Sequence, residues 1–322
     1  MKNERHQAPA RRFLAGVALV CAISATPQAL AQESTPVSTE SELSSQLPPA
    51  DLPTMNEQGF VFELESAFTG SLANAPTEAP VYELTYADQT LEAAQELATR
   101  LGVEGDVADQ GGGSFIAEGN GDLYVSPGLV QYVSAAEVPE GQLPSDEEAI
   151  AYGREWLRQT GLLPPNIGEG KVEARVESPA RAFVTFQPIE PASILSSYPA
   201  ITIVMGPNAI ILEASFRWAD IRATDVYQLR DAESAWQEVA ERRAYLQATV
   251  PADVFPQGST VTGTATYESV SLSYTTSGVP GEAQYLQPVF VFSGELTAEG
   301  SDRSFPITAY VPAIVNSQQP VG

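Results

Sequence analysis

Histidine and cysteine most often carry proton transfer, nucleophilic attack and metal ligation near neutral pH. This chain of 322 residues holds one of each, His6 and Cys21. Both lie in a stretch that reads as an export signal. Once that stretch is removed, no Ser-His-Asp triad, cysteine nucleophile, histidine or cysteine metal ligand, or disulfide can form. What remains is the chain's 41 Asp and Glu less Glu4, 12 tyrosines, the hydroxyls, and Lys171 as the only lysine beyond Lys2. Two carboxylates held about 5–10 Å apart across a sugar suffice for glycoside hydrolysis, so a carboxylate-dependent glycan hydrolase is the enzymatic alternative. The acids are scattered, or they cluster at a helix start as Asp146, Glu147 and Glu148 do. Negative charge there complements the helix dipole without any catalytic role. The expectation is therefore a non-enzyme, with no catalytic, cofactor-binding or metal residue assigned.

Several motifs invite a chemical reading and fail on spacing. Glu118-Gly119-Asn120-Gly121-Asp122 sets oxygen-bearing side chains at alternate positions, as a calcium loop does. Leu123 and Leu129 stand where such a loop needs Gly and Glu, so a hairpin turn is expected instead. Gly168-Glu169-Gly170-Lys171 lacks a phosphate loop's first glycine, which is Pro165 here, and its hydroxyl after the lysine, which is Val172. Gly111-Gly112-Gly113-Ser114 has neither the spacing of a nucleophile elbow nor a histidine to activate the serine. Tyr82 and Tyr86 share one strand face and offer a stacking surface for a sugar or peptide; half-buried sheet tyrosines are the plainer reading. A hairpin loop over residues 294–304, carrying Glu295, Glu299, Asp302 and Arg303, is a candidate contact surface, against the plainer reading of a solvated turn.

Lys2, Arg5, Arg11 and Arg12 precede the apolar run Phe13–Ser24, and Ala29-Leu30-Ala31 places small residues at Ala29 and Ala31. This is a secretory signal, residues 1–31, with cleavage before Gln32. The run is too short for a membrane span, which needs about 20 apolar residues. The mature chain is expected in the periplasm or at the cell surface with no integral membrane span. The alternative is lipid anchoring through Cys21, although Val20 precedes it where a lipobox wants a small residue. Arg11-Arg12-Phe13-Leu14 leaves twin-arginine export open as well. The net charge of −25 argues against nucleic acid, whose phosphates require clustered Lys and Arg.

Residues 32–58 are rich in Ser, Thr, Pro and Glu and are expected to form a disordered tether. Three segments then share one order, a helix followed by strands. In residues 59–136 a strand at 81–86 precedes a helix capped by Asp88 and ended by Gly102, with strands at 114–118, 123–125 and 129–134. In residues 137–224 Ser145 and Glu148 form a capping box. The helix runs to Gly161, where Pro164-Pro165 forbid continuation. Strands follow at 172–176, 183–187, 200–205 and 210–218. In residues 225–317 Asp231 caps a helix, and strands follow at 261–267, 270–275, 288–292 and 305–311; residues 318–322 form a tail. The expected class is α+β, a repeated helix followed by an antiparallel β-meander, in two to three packed subdomains.

The run Ser145-Asp146-Glu147-Glu148-Ala149, with the strands at 199–205 and 210–218, resembles PepSY-like modules, in which a capped helix packs on an antiparallel meander. Over residues 137–315 the chain is also similar to YycH/YycI-type extracytoplasmic regulators of an envelope sensor kinase. That resemblance implies a non-enzymatic protein acting by contact. It departs at Trp218-Ala219-Asp220, where PepSY modules use a glycine-containing turn, and it transfers no functional residue. The expected function is an exported, non-catalytic envelope protein that binds a protein or peptide partner as a regulator or inhibitor.

Overall fold

The computed structural model describes residues 47–53, 59–251, 253–278 and 284–314. The expected export signal, with Cys21 and the expected cleavage residues Ala29, Ala31 and Gln32, lies outside them. All the described residues belong to one unit, Ser44–Gly322. Its elements in chain order are β1 (Val61–Phe68), β2 (Glu78–Thr85), α1 (Leu91–Leu101), β3 (Val107–Gly111), β4 (Ser114–Glu118), β5 (Gly121–Ser126) and β6 (Leu129–Ser134), then α2 (Asp146–Gln159), β7 (Ile167–Glu177), β8 (Ala180–Pro188), β9 (Ala200–Met205), β10 (Ile211–Arg217) and β11 (Asp220–Gln228), and finally α3 (Ala232–Ala240), β12 (Tyr245–Ala248), β13 (Thr260–Ser277), β14 (Gln284–Ala298) and β15 (Ser304–Pro312).

The helices follow their local signals. Ser145 and Glu148 close the capping box of α2, with the Ser145 amide donating to Glu148 at 2.9 Å. Asp231 caps α3 by accepting from the Ser234 amide. Gly102 ends α1 at φ 70°, a left-handed conformation that costs glycine little. The start of α1 differs from expectation. Thr90, not Asp88, is the N-cap, and its hydroxyl accepts from the Ala93 amide at 3.2 Å.

The strands form two large sheets. One has eight strands in the order β3-β4-β5-β6-β10-β9-β8-β7, every neighbouring pair antiparallel. Helices α1 and α2 pack on it. Ala94, Leu97 and Ala98 of α1 meet Phe115, Leu123 and Val125, while Ala149 and Leu157 of α2 meet Val184, Phe186, Ile201 and Ile203. Tyr132, Leu162 and Phe216 touch both groups. Leu157 is fully buried, a contribution of about 1.5–3 kcal/mol for a side chain of its size. The second sheet has seven strands. Its path is β1-β13-β14-β15-β12, and β2 joins it by pairing with both β14 and β11. Helix α3 covers it, with Trp236 between Phe68, Phe292 and Tyr267.

This arrangement overturns the expected α+β class of repeated helix-then-meander subdomains. Half of the described residues are in strands and 14% in helices, so the fold is mainly β with three α-helices. The strands of residues 59–136 divide between the two sheets. β6 pairs with β10 across the anticipated boundary at residue 137, with Tyr132 opposite Ala214. β1 pairs in parallel with β13, far along the chain, with Leu64 opposite Gly263. The short strands expected at 261–267 and 270–275 are one strand of 18 residues with a bulge between Tyr267 and Ser269. β1, β3, β11 and β12 had no sequence expectation.

Part of the expected tether is also structured. Within residues 47–53 Leu47 and Leu52 are buried, and Ala50 forms a bridge with Ser277. At one edge of the eight-stranded sheet β7 carries Glu169, Lys171, Glu173, Arg175 and Glu177 along an exposed strand. Arg175 reaches Asp146 at the head of α2 at 2.8 Å. Charges and register shifts of this kind discourage edge-to-edge aggregation.

Candidate functional site

A cleft of about 250 Å³ opens where the central strands of the eight-stranded sheet end. Four separate stretches of chain build it. Thr85, Ala87 and Gln89 come from the exit of β2, and Gly128, Leu129 and Val130 from the β5–β6 turn. Gly161 through Pro165 link α2 to β7, and Phe216, Trp218, Ala219 and Asp220 link β10 to β11. Local structure places each group. The Thr160 hydroxyl donates to the Trp156 carbonyl at 2.9 Å, and the Leu162 amide donates to that of Leu157 at 2.8 Å, closing α2. Pro164 and Pro165 then turn the chain. The Trp218 amide donates to Gly128 at 3.1 Å, tying the two links together. The Phe216 and Trp218 rings lie 6.2 Å apart at 32°.

The lining is aromatic, aliphatic and proline-rich. Thr85, Gln89 and Asp220 add polar groups, and Asp220 is its only ionisable side chain. Glycoside hydrolysis needs two facing carboxylates, and the lining supplies one. Sites with this balance recognise shape and an apolar side chain, with a few polar groups setting orientation.

Behind the β5–β6 turn stands a group of four tyrosines. Tyr86 and Tyr198 lie 5.8 Å apart and tilted, and Tyr82 meets Tyr274 edge-on at 5.3 Å. The Tyr86 hydroxyl donates to Gln284, whereas the buried Tyr198 hydroxyl has no hydrogen-bond partner among the described residues. Burial holds the phenol pKa values of Tyr86, Tyr198 and Tyr274 above their ordinary 10; at Tyr82 burial does so with help from the Glu190 charge. Gly128 separates this group from the cleft. At its φ of 71° a Cβ would sit 2.4 Å from the Tyr86 ring. Tyr82 and Tyr86 are half-buried, and their rings pack against Tyr274 and Tyr198.

The anticipated contact loop is shorter than expected. β14 runs to Ala298 and β15 starts at Ser304, so Glu295 lies within a strand, opposite Thr266 and Pro306. Glu299 accepts from the Thr262 hydroxyl at 2.8 Å. Asp302 is exposed in the turn, and Arg303 lies 3.7 Å from Asp253 and over the Phe305 ring. None of these four residues lines the cleft. Asn120 of the rejected calcium motif accepts from the Glu104 amide at 3.0 Å. Among the described residues no group of three or more Asp, Glu, His or Cys is placed to hold a metal ion.

The sequence marks two walls of the cleft without naming it: Pro164-Pro165 as a helix stop, and Trp218-Ala219-Asp220 as a departure from the PepSY pattern. A tryptophan at the end of a strand, where polar turn residues are usual, is the signal for such a site.

Among the described residues no helix is long and apolar enough to cross a membrane. Neither a protein-family model nor a curated protein matches the sequence. Among solved structures the chain is similar to an uncharacterized protein from Eubacterium rectale ATCC 33656, at 10% identity and a TM-score of 0.44, over 80% of this chain and 91% of that one.

Proposed function

We propose that this chain is an exported, non-catalytic envelope protein that binds a protein or peptide partner, and that the cleft between β6, β10 and the α2–β7 link is where it does so. The observation that carries this reading is the composition of the cleft. Phe216, Trp218, Leu163 and Pro165 surround a space sized for one or two side chains, with Gln89 and Asp220 to orient them. Beyond residue 21 the sequence holds no histidine and no cysteine, so the usual proton carrier and strongest nucleophile are missing from the exported chain. The likeness of residues 137–315 to PepSY-like and YycH/YycI-type modules belongs to this proposal, and so does the secretory signal over residues 1–31.

The test is selection of displayed random peptides on the full chain, followed by binding of the selected sequences to wild type and to Leu163→Asp. Peptides with an aliphatic, proline or aromatic anchor are expected, and the variant should bind them at least about tenfold more weakly. Hydrolysis of a glycan or peptide that disappears in Asp220→Asn would replace this reading with an enzymatic one.

A further inference from the structure

Six polar residues are buried among the described ones, and five of them, Ser273, Thr275, Ser277, Gln284 and Gln287, lie on adjoining stretches of β13 and β14. The sixth, Thr160, closes α2. Thr275 stands opposite Gln287, and Ser273 and Ser277 lie two residues to either side on the same face. Ser273 pairs with the Ser193 hydroxyl at 2.7 Å and Gln284 accepts from Tyr86, while the chain's own residues 47–53 run across Thr275, Ser277 and Gln287. The Asp51 amide donates to the Thr276 carbonyl at 2.7 Å, and Ala50 forms an antiparallel bridge with Ser277. The Thr275 hydroxyl donates to the Asp51 carbonyl. The Gln287 amide donates to the Pro48 carbonyl at 2.6 Å and to the Ser277 hydroxyl at 2.6 Å. Leu52 enters an apolar site made by Val289, Val291 and Tyr310. Leu47, at the start of the segment, is buried in the separate core cluster that includes Ala235, Val239, Phe290 and Phe292.

These contacts address main-chain carbonyls and two leucines, not the identity of the residues between them. Donors aimed at backbone carbonyls accept any extended chain, and a side-chain pocket adds selectivity, which is how sheets recruit peptide strands. A segment serving only to cover the core would be matched most cheaply by an apolar floor, because buried hydroxyls and amides cost free energy unless they are bonded. A floor of hydroxyls and amides is compatible with water when uncovered.

We infer that the β13–β14 groove is a docking site for an extended peptide segment, which residues 47–53 occupy in cis as a competing stand-in. The partner segment would carry two aliphatic side chains five residues apart, as Leu47 and Leu52 are. The groove shares no residue with the cleft, so the inference stands apart from the function proposed for that site.

A labelled synthetic peptide with the sequence of residues 47–53 tests it against the full chain. Leu47→Asp/Leu52→Asp should release the covering segment and take up the probe saturably. Wild type should bind at least about tenfold more weakly, because its groove is filled in most molecules. Adding Gln287→Leu to the double variant should weaken uptake by about tenfold, whereas adding Leu163→Asp in the cleft should not change it. In wild type the Asp51 amide should exchange with solvent much faster than amides of central β14, by an opening that leaves the sheet intact. A folded double variant that ignores the probe, equal binding by both chains, or self-association of the chain in place of peptide uptake would overturn the inference. So would an Asp51 amide that exchanges only when central β14 does, a measurement that holds even if the double variant fails to fold.

Discussion

Tyr267→Phe should make this protein more stable. The side chain lies on β13 at zero solvent exposure, with its ring 5.7 Å from Trp236 and edge-on to it. Its hydroxyl has no hydrogen-bond partner among the described residues. Leaving a buried hydroxyl unpaired costs about 1–3 kcal/mol. Phenylalanine keeps the ring and forfeits only the dispersion contacts of one oxygen, each worth about 0.1–0.2 kcal/mol. The net expectation is a gain of about 1 kcal/mol, or roughly 2–4 °C in Tm for a domain of this size. Urea titration should show a higher midpoint with an unchanged slope. The same chemical change at Tyr86 should act in the opposite direction. Its hydroxyl is bonded to Gln284, which is 7% exposed, so Tyr86→Phe strands a buried amide and should cost about 1–3 kcal/mol.

Alkaline titration gives a second reading of the same site. Burial pushes the Tyr267 phenol well above its ordinary pKa of 10. Above pH 10 the unfolded phenol loses its proton while the folded one retains it, so the folded state binds more protons. Its contribution is therefore complete below pH 10 and declines as pH rises through the raised folded value. Tyr267→Phe ionises in neither state and should lose stability less steeply above pH 10. A variant destabilised by more than about 1 kcal/mol would mean that the hydroxyl is satisfied, and would refute the reasoning.

Three further outcomes follow from the geometry. Gly128→Ala forces a left-handed backbone on alanine and drives its Cβ into the Tyr86 ring; it should cost more than about 1 kcal/mol in thermal unfolding and perturb the near-ultraviolet signal of the tyrosines. Ser145→Ala removes the cap of α2 and should cost about 1 kcal/mol. It should also let the Glu148 carboxyl, held low first by the Ser145 backbone and then by its side chain, titrate closer to its ordinary 4.5 by NMR. The Glu155 carboxyl, bonded to Arg158 and Gln159, should titrate near 2 and move upward in Arg158→Ala.

The parts legible beforehand are those that local chemistry decides. Ser145 and Glu148 meet within one helical turn, so the capping box needs no other part of the chain. β9 at Ala200–Met205 and β10 at Ile211–Arg217 are apolar-rich runs that flank Gly206-Pro207-Asn208. What misled was adjacency. Helix followed by strands reads as a self-contained unit when neighbours in sequence are taken to be neighbours in space. The β6–β10 and β1–β13 pairings join residues tens to hundreds of positions apart, and nothing in either strand names its partner. β11 was missed for the same reason: its mostly exposed sequence becomes a strand by pairing with β2. Residues 47–53 looked like tether because their prolines and short length give no period, yet Leu47 and Leu52 find apolar sites on strands that follow more than two hundred residues later.

Sequence alone determined the chemistry available to this protein. It holds one histidine and one cysteine, both in its first 21 residues, and 41 acidic side chains. It also set where α2 and α3 begin, because a cap is a bond between residues three apart. Tertiary structure decided which of those side chains meet. Gly128, Pro165 and Trp218 form one cleft because two central strands end together, and Thr275 and Gln287 receive a passing main chain because β13 and β14 pair in one register. Register and sheet order depend on the summed packing of side chains distant in sequence, a free energy that no local pattern contains.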